Sequence, residues 1–264
     1  MRGRKDSEQV RRTSGVVLPA NGELIWGRNA VSEALRAGKR VWRLLVAERS
    51  HPDVSVQIAV RVARERGVPI DEVARAQLDA MAADHQGLVA VVAPFPYVGW
   101  GDLLSRLERS GRSASVLMLD TVQDPQNLGT LLRAAEATGI DGVVLPKRRA
   151  VQVTPAVVRA SAGAVEHLAV AMVPNLVRAA QDLKQHGLWV VGVDMEGDRL
   201  YWELDMSGPT ALVVGGEDRG IGHLLKERCD FLVRLPMKGI VSSLNAAVAG
   251  SIVLYEMVRQ RWAT

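Results

Sequence analysis

Ala211-Leu-Val-Val-Gly215-Gly216-Glu217-Asp218-Arg219-Gly220-Ile221-Gly222 is an apolar strand that runs straight into a loop with four glycines in eight residues. An ordinary strand-to-helix turn needs one or two. Four bring backbone close to something else and tolerate positive φ. Unbroken Val and Leu runs suit parallel sheets covered on both faces, which bind ligands beyond the carboxyl ends of their strands. Outward from this segment the pattern repeats. Residues 115–120, 142–145, 188–193 and 231–235 read as further strands, and residues 100–109, 128–138, 174–186 and 242–260 as helices. The expected fold class is α/β with a parallel sheet.

Upstream, residues 19–93 read as a second, small α/β domain. Residues 29–37 suit a helix with Val31, Ala34 and Leu35 on one face, stopped at Gly38. Residues 41–47 alternate like a half-buried strand, residues 54–66 place Val54, Ile58, Val62 and Ala63 at helical spacing, and residues 88–93 suit a central strand. Pro94-Phe95-Pro96-Tyr97 breaks either kind of ladder, so the linker is placed at 94–99, with the large domain over 100–264. Residues 1–18 read as a disordered basic arm, five cations against Asp6 and Glu8 for a net of +3, while the whole chain carries +4. Such an arm suits a nucleic acid partner or a solubilising tail.

Several chemistries are excluded on composition. With 264 residues, 48% apolar and 23% charged, the chain can build a core without disulfides. Cys229 is the single cysteine and no apolar leader is present, which fits a reducing, cytoplasmic compartment. No apolar run is long enough to span a membrane. The five histidines are scattered, so no metal is expected. The Walker, dinucleotide-binding and nucleophile-elbow patterns are absent.

Two further segments carry chemistry. In Asp120-Thr-Val-Gln-Asp-Pro-Gln-Asn127-Leu-Gly129-Thr-Leu-Leu-Arg133, Asn127 suits a helix N-cap, and Gly129 lets another backbone approach. Arg133 leans toward the helix start, which together make an anion site; an ordinary capped helix would read the same way. In Leu235-Pro236-Met237-Lys238-Gly239-Ile240-Val241-Ser242-Ser243-Leu244-Asn245-Ala246-Ala247, an apolar loop precedes a helix with Ser242 as the expected N-cap. Leu244, Val248, Ile252 and Tyr255 are the expected core stripe. Leu235, Met237, Ile240 and Leu244 can sandwich an adenine ring, or serve packing alone. Lys147-Arg148-Arg149 and Arg159 form either a phosphate-contacting patch or a solvated charge run.

In this order and spacing, N-x-G-x-x-x-R, G-G-E-x-x-G and L-P-M-x-G-x-x-S-S-L-N resemble the three motifs of the SpoU family, RNA ribose 2′-O-methyltransferases of the SPOUT class, over about residues 115–260. Gly27-Arg-Asn-Ala-Val-Ser-Glu-Ala-Leu35 and His85-Gln-Gly-Leu-Val-Ala90 narrow the resemblance to the bacterial enzymes that methylate a guanosine in the P-site loop of 23S ribosomal RNA. The resemblance implies a deep C-terminal trefoil knot, a small RNA-binding domain, a homodimer, S-adenosylmethionine as methyl donor, and 23S ribosomal RNA or its precursor particle as partner. It implies functional roles for Asn127, Arg133, Glu217, Ser243 and Asn245, and cofactor contacts at Gly215, Leu235, Met237 and Leu244. One stretch departs: Ala246 and Ala247 stand where the family usually has Val and Ser, so the hydroxyl at 247 is missing. A guanidinium stays protonated, so Arg133 is expected to clamp a phosphate and steady the developing oxyanion rather than act as base. Asn127 and Asn245 are expected to orient the ribose or Arg133, and Glu217 to hold Arg133 or Asn245. Methylation of transfer RNA or of a ribosomal adenosine, a non-catalytic RNA-binding module, and a nucleotide-dependent metabolic enzyme remain alternatives.

Overall fold

A computed structural model describes residues 11–13, 16–38, 40–48, 53–217, 219–240 and 243–262. The chain divides into two units, 1–95 and 96–264.

In the first unit, β1 (Arg11–Thr13) and β2 (Val16–Leu18) pair antiparallel, within the segment expected to be an arm. Residues 1–10 and 14–15 of that arm lie outside the described residues. A four-stranded sheet follows, built from β3 (Glu23–Trp26), β4 (Val41–Ala47), β5 (Ile70–Val73) and β6 (Leu88–Val92) in the order β3-β6-β4-β5. The apolar run of β6 is buried throughout because it has a neighbour on either side. α1 (Arg28–Ala37) buries Ala30, Val31, Ala34 and Leu35 and ends at Gly38, whose φ of 74° favours glycine. α2 (Val54–Glu65) is capped by Asp53, which accepts from the Ser55 amide. Its core face is Val56, Ala59 and Ala63; Val54, expected inside, is exposed. α3 (Arg75–Asp79) completes the unit.

The second unit holds seven parallel strands. They are β7 (Ser115–Asp120), β8 (Gly142–Pro146), β9 (Val170–Val173), β10 (Trp189–Val193), β11 (Arg199–Leu200), β12 (Thr210–Gly215) and β13 (Phe231–Arg234), in the order β11-β13-β10-β12-β7-β8-β9. Alternate residues of β7 serve opposite faces, so both must be apolar. Val116 and Met118 pack with α4 (Trp100–Ser110), α7 (Leu176–Gln185) and α8 (His223–Lys226). Toward the other face, α9 (Ala246–Trp262) packs on α5 (Pro125–Ala137) and β12, and α6 (Pro155–Ala160) packs on α5. Fully burying each such Val, Leu or Met contributes about 1.5–3 kcal/mol. This sheet therefore supplies the rigid frame for the loops at its carboxyl rim.

Two helix readings change. α5 starts at Pro125, capped by Asp124, whose side chain accepts from the Gln126 amide; proline's fixed φ suits that first position. Asn127 therefore lies inside the first turn rather than at its cap. α9 buries Ala247, Gly250, Val253, Leu254 and Met257, whereas Val248 and Tyr255 of the expected core stripe are exposed. The small residues win the inner face because a Cβ on Gly250 would lie 2.7 Å from Leu131 Cδ2 and 2.9 Å from Val214 Cγ2. Ser242, expected as the cap, lies outside the described residues; Asn245 accepts from the amides of Ala247 and Val248 instead.

Candidate active site

β7 and β12 are direct neighbours, and their register ends with Gly215 opposite Asp120. The turns that leave these two strands therefore emerge side by side. The turn after β12 doubles back on itself. A Cβ on Gly215 would lie 2.0 Å from Gly220 C and 2.2 Å from Ile221 N, so no other residue fits. Gly216 bridges to Gly220, which holds Glu217 and Arg219 on one short turn. A Cβ on Gly216 would sit 2.4 Å from the Thr121 carbonyl oxygen of the neighbouring turn. Asp120 Oδ2 accepts from the Gly222 amide at 2.8 Å, a second tie between the two turns. Behind them, Lys226 pairs with Asp194 at 2.8 Å and Glu196 at 3.0 Å, and the Asp194 contact chiefly raises the lysine's pKa.

Three of the expected residues meet directly. Asn127 Nδ2 donates to Glu217 Oε1, and Asn127 Oδ1 accepts from Asn245 Nδ2 at 2.9 Å. Asn245 Oδ1 accepts from the first amides of α9 at 2.9 and 3.2 Å. The chain of dipoles thus runs from a carboxylate to a helix N-terminus. A carboxylate cannot donate and a backbone amide cannot accept, so both side-chain amides have fixed orientations. Each keeps one unused N–H. Glu217 and Asn245 are exposed and Asn127 is half-buried, so those donors can reach a ligand. Glu217, expected to hold Arg133 or Asn245, holds Asn127 and acts on Asn245 through it.

The other expected residues stand apart from this chain. Arg133 is exposed and takes no hydrogen bond or ion pair from a described residue. It lies eight residues past the start of α5, about 12 Å along the axis at 1.5 Å per residue, which is too far to reach the first turn. Ser243 is exposed and likewise unbonded among the described residues. Gly215 is buried at the end of β12. Leu235 is half-buried where β13 ends, and Met237, Ile240 and Leu244 are exposed along the loop that leads to Asn245. Gly129 serves packing: a Cβ there would lie 2.3 Å from Ala160 Cβ and 2.8 Å from the Ser161 amide of α6.

Sequence reasoning passed over Asp120, Thr121 and Asp194. An acid at a strand's carboxyl end was a signal for the first and third. Nothing in the sequence marks Thr121, whose φ is 59°. Among the described residues no group of three or more His, Cys, Asp or Glu is placed to hold a metal, and no helix is long and apolar enough to cross a membrane.

Comparison with known proteins places this geometry. Residues 114–255 match the model of the SpoU rRNA Methylase family, and residues 24–98 match a model described as RNA 2′-O ribose methyltransferase substrate binding. A Bacillus subtilis strain 168 protein named as a TrmH family tRNA/rRNA methyltransferase, YacO, is 42% identical over 240 residues, 90% of this chain and 96% of that one. A Staphylococcus saprophyticus relative carrying the same family name is 37% identical over 239 residues, again 90% and 96%. The SpoU methyltransferase AviRb of Streptomyces viridochromogenes, solved with its cofactor AdoMet, superposes with a TM-score of 0.76 at 29% identity, over 93% of this chain and 92% of that one. An AdoMet-bound rRNA methyltransferase from Sinorhizobium meliloti gives 0.73 at 25% identity, over 90% and 87%.

Proposed function

Because the chain belongs to the SpoU family of RNA methyltransferases, which use S-adenosylmethionine, we propose that it methylates a ribose 2′-hydroxyl of RNA, and that its target is a guanosine in the P-site loop of 23S ribosomal RNA. The observation that carries this reading is the Glu217–Asn127–Asn245 chain, which joins all three motifs at one rim of the sheet. The methyl donor supplies an electrophilic methyl group on a sulfonium. The residues present fit it. The exposed Met237, Ile240 and Leu244 offer an apolar surface for its adenosyl part, with half-buried Leu235 beside them, and Gly215, buried at the end of β12, lets the turn behind them fold back on itself. The free N–H groups of Asn127 and Asn245 orient the ribose, and Arg133, a permanent cation further along α5, clamps a neighbouring phosphate of the RNA. Ser243 adds a hydroxyl at the same rim. The hydroxyl proton is released to water, since Glu217 and Asn245 are solvent-exposed.

The enzyme acts as a homodimer whose interface includes α9. In support, Val248 (44% exposed), Tyr255 (55%) and Trp262 (86%) line one face of that helix, beginning one turn after Asn245. Large apolar side chains in a row on a surface mark an interface. The C-terminal segment threads a trefoil knot. This reading is supported by β13 lying between β10 and β11, both of which precede it in the chain, and by Gly197, where a Cβ would lie 2.7 Å from Val233 C. A transfer RNA target is the second reading, favoured by the relatives' names, which give both RNAs.

Purified protein with labelled S-adenosylmethionine should label a 23S transcript, at a guanosine of the P-site loop. Label confined to transfer RNA, or to another 23S nucleotide, would refute the target. Arg133→Ala should abolish transfer with donor affinity intact; wild-type turnover by that variant removes Arg133 from the reaction. Val248→Glu with Tyr255→Glu should yield monomers in sedimentation, and an unchanged dimer would put the interface elsewhere.

A further inference from the structure

Beside the Glu217 turn lies a cavity of about 640 Å³. Its walls come from the carboxyl rims of three adjacent strands: Thr121 and Gln123 after β7, Arg149 and Val151 after β8, and Glu217 and Arg219 after β12. Backbone ties fix these walls relative to one another. The Val151 amide donates to the Val122 carbonyl at 3.0 Å, and Gly216 rests against the Thr121 carbonyl. Arg219 sits on the same five-residue turn as Glu217, closed by the Gly220 amide on the Gly216 carbonyl, so the bond from Asn127 that anchors Glu217 also positions Arg219.

Charge and strain point the same way. Arg149 and Arg219 are both exposed, and neither takes a carboxylate or other partner among the described residues. Glu217 is the one described acid on the wall, and one of its oxygens is occupied by Asn127. Two guanidinium groups thus border one hollow, and among the described residues neither is paired with a carboxylate. Five described non-glycine residues have φ in the left-handed region, and two of them, Thr121 at 59° and Arg149 at 64°, line this cavity. For a β-branched threonine that conformation is an outlier. Strain of this kind persists where the surroundings impose it, and it gathers at ligand sites.

We propose that this cavity seats a phosphodiester of the substrate RNA, next to the ribose held at Asn127 and Asn245, gripped between Arg149 and Arg219. The inference rests on the reading of RNA as substrate. A guanidinium fork matches two phosphate oxygens at once, which a lysine cannot do. Glu217 on the wall of this seat bonds the Asn127 amide, so a gripped phosphate fixes the register of the strand being read. The carboxylate of the methyl donor is a second anion that two arginines could hold, and the test separates the two.

The experiment uses the full-length protein, a fluorescent single-stranded RNA of about twelve nucleotides, and S-adenosylmethionine titrated separately by calorimetry. Arg149→Asn and Arg219→Ala should each flatten the plot of log affinity against log salt by roughly 0.7–1. At fixed salt each should weaken RNA binding by roughly three- to tenfold, while donor affinity stays within about twofold. Arg149→Lys and Arg219→Lys should restore the slope, since the charge returns, but not the full affinity. Asparagine tolerates left-handed backbone better than arginine, so Arg149→Asn should melt at the wild-type temperature or above it. Unchanged slopes in both variants would overturn the proposal. So would a loss of donor affinity equal to the loss for RNA, which would assign the cavity to the donor's carboxylate. Failure of the wild type to methylate 23S RNA would refute the target assignment, while the salt slopes still decide the seat.

Discussion

The turns after β7 and β12 leave neighbouring strands at the same rim, yet they are built by opposite means. The first is filled. Asp120, Asp124 and Asn127 each use a side chain to hold a backbone amide or another side chain. The second is emptied, with Gly215 and Gly216 lacking a Cβ because backbone from the two turns already occupies that space. The difference explains why neither works alone. The emptied turn brings Glu217 close, and the filled turn supplies the amide that Glu217 holds. Polar side chains give direction, and missing ones give proximity.

Substitutions can break this complementarity, beginning with the largest effect. Gly215→Ala places a carbon 2.0 Å from the Gly220 backbone. It should cost about 3 kcal/mol or more, as overpacking does, and lower the melting temperature by about 6–12 °C for a unit of this size. Calorimetry should show donor binding lost with it. Asn127→Ala attacks the filled turn and leaves Glu217 and Asn245 without their partner. The bond to Glu217 is exposed, so its loss should cost less than about 1 kcal/mol and shift melting by less than about 4 °C, while loss of the amide that orients the ribose should lower kcat/KM by roughly 10- to 100-fold. Asp120→Asn weakens the tie to Gly222 and should cost about 1 kcal/mol, read as a melting shift of about 2–4 °C.

Behind the emptied turn the effects shrink. Lys226→Met removes a pair worth less than about 1 kcal/mol. The raised pKa of Lys226 fixes the sign. Its contribution is complete below the unfolded-state pKa near 10.4 and is lost as pH rises through the higher folded value. Wild type and variant should therefore differ at pH 8 and converge in alkaline denaturation. Cys229 is the control that touches neither turn. Burial pushes its thiol up to about 12, so a thiol reagent at pH 8 should label it in unfolded but not in native protein.

Much of the fold is visible in the residues. Unbroken runs such as residues 115–120 and 211–214 mark strands buried on both faces, and the structure begins and ends β7 at the expected residues. Short or mixed elements escape. β9, four residues long, and β11, two residues long, carry too little pattern to stand out, as do α6 and α8. Helix starts are harder to place. Asn127 has the chemistry of a cap, but Asp124 with Pro125 behind it competes for the role and takes it. The inner face of α9 is harder still. Leu244, Val248, Ile252 and Tyr255 and the set Ala247, Gly250, Val253 and Leu254 are both apolar, and periodicity cannot rank them.

The residues by themselves determined the α/β class, the two-unit layout, the glycine-rich turn and the membership of Asn127, Glu217 and Asn245 in one set of motifs. The first three are properties of local spacing and side-chain chemistry, and the last is what the resemblance to the SpoU motifs implied. Tertiary structure alone decided that Glu217 bonds Asn127, that α9 turns its small residues inward, and that Arg149 and Arg219 face one hollow. Those outcomes depend on which strands become neighbours and how closely backbones pass. Contacts such as Asn127 to Glu217, 90 residues apart, are fixed by the β7–β12 register rather than by anything encoded near either residue.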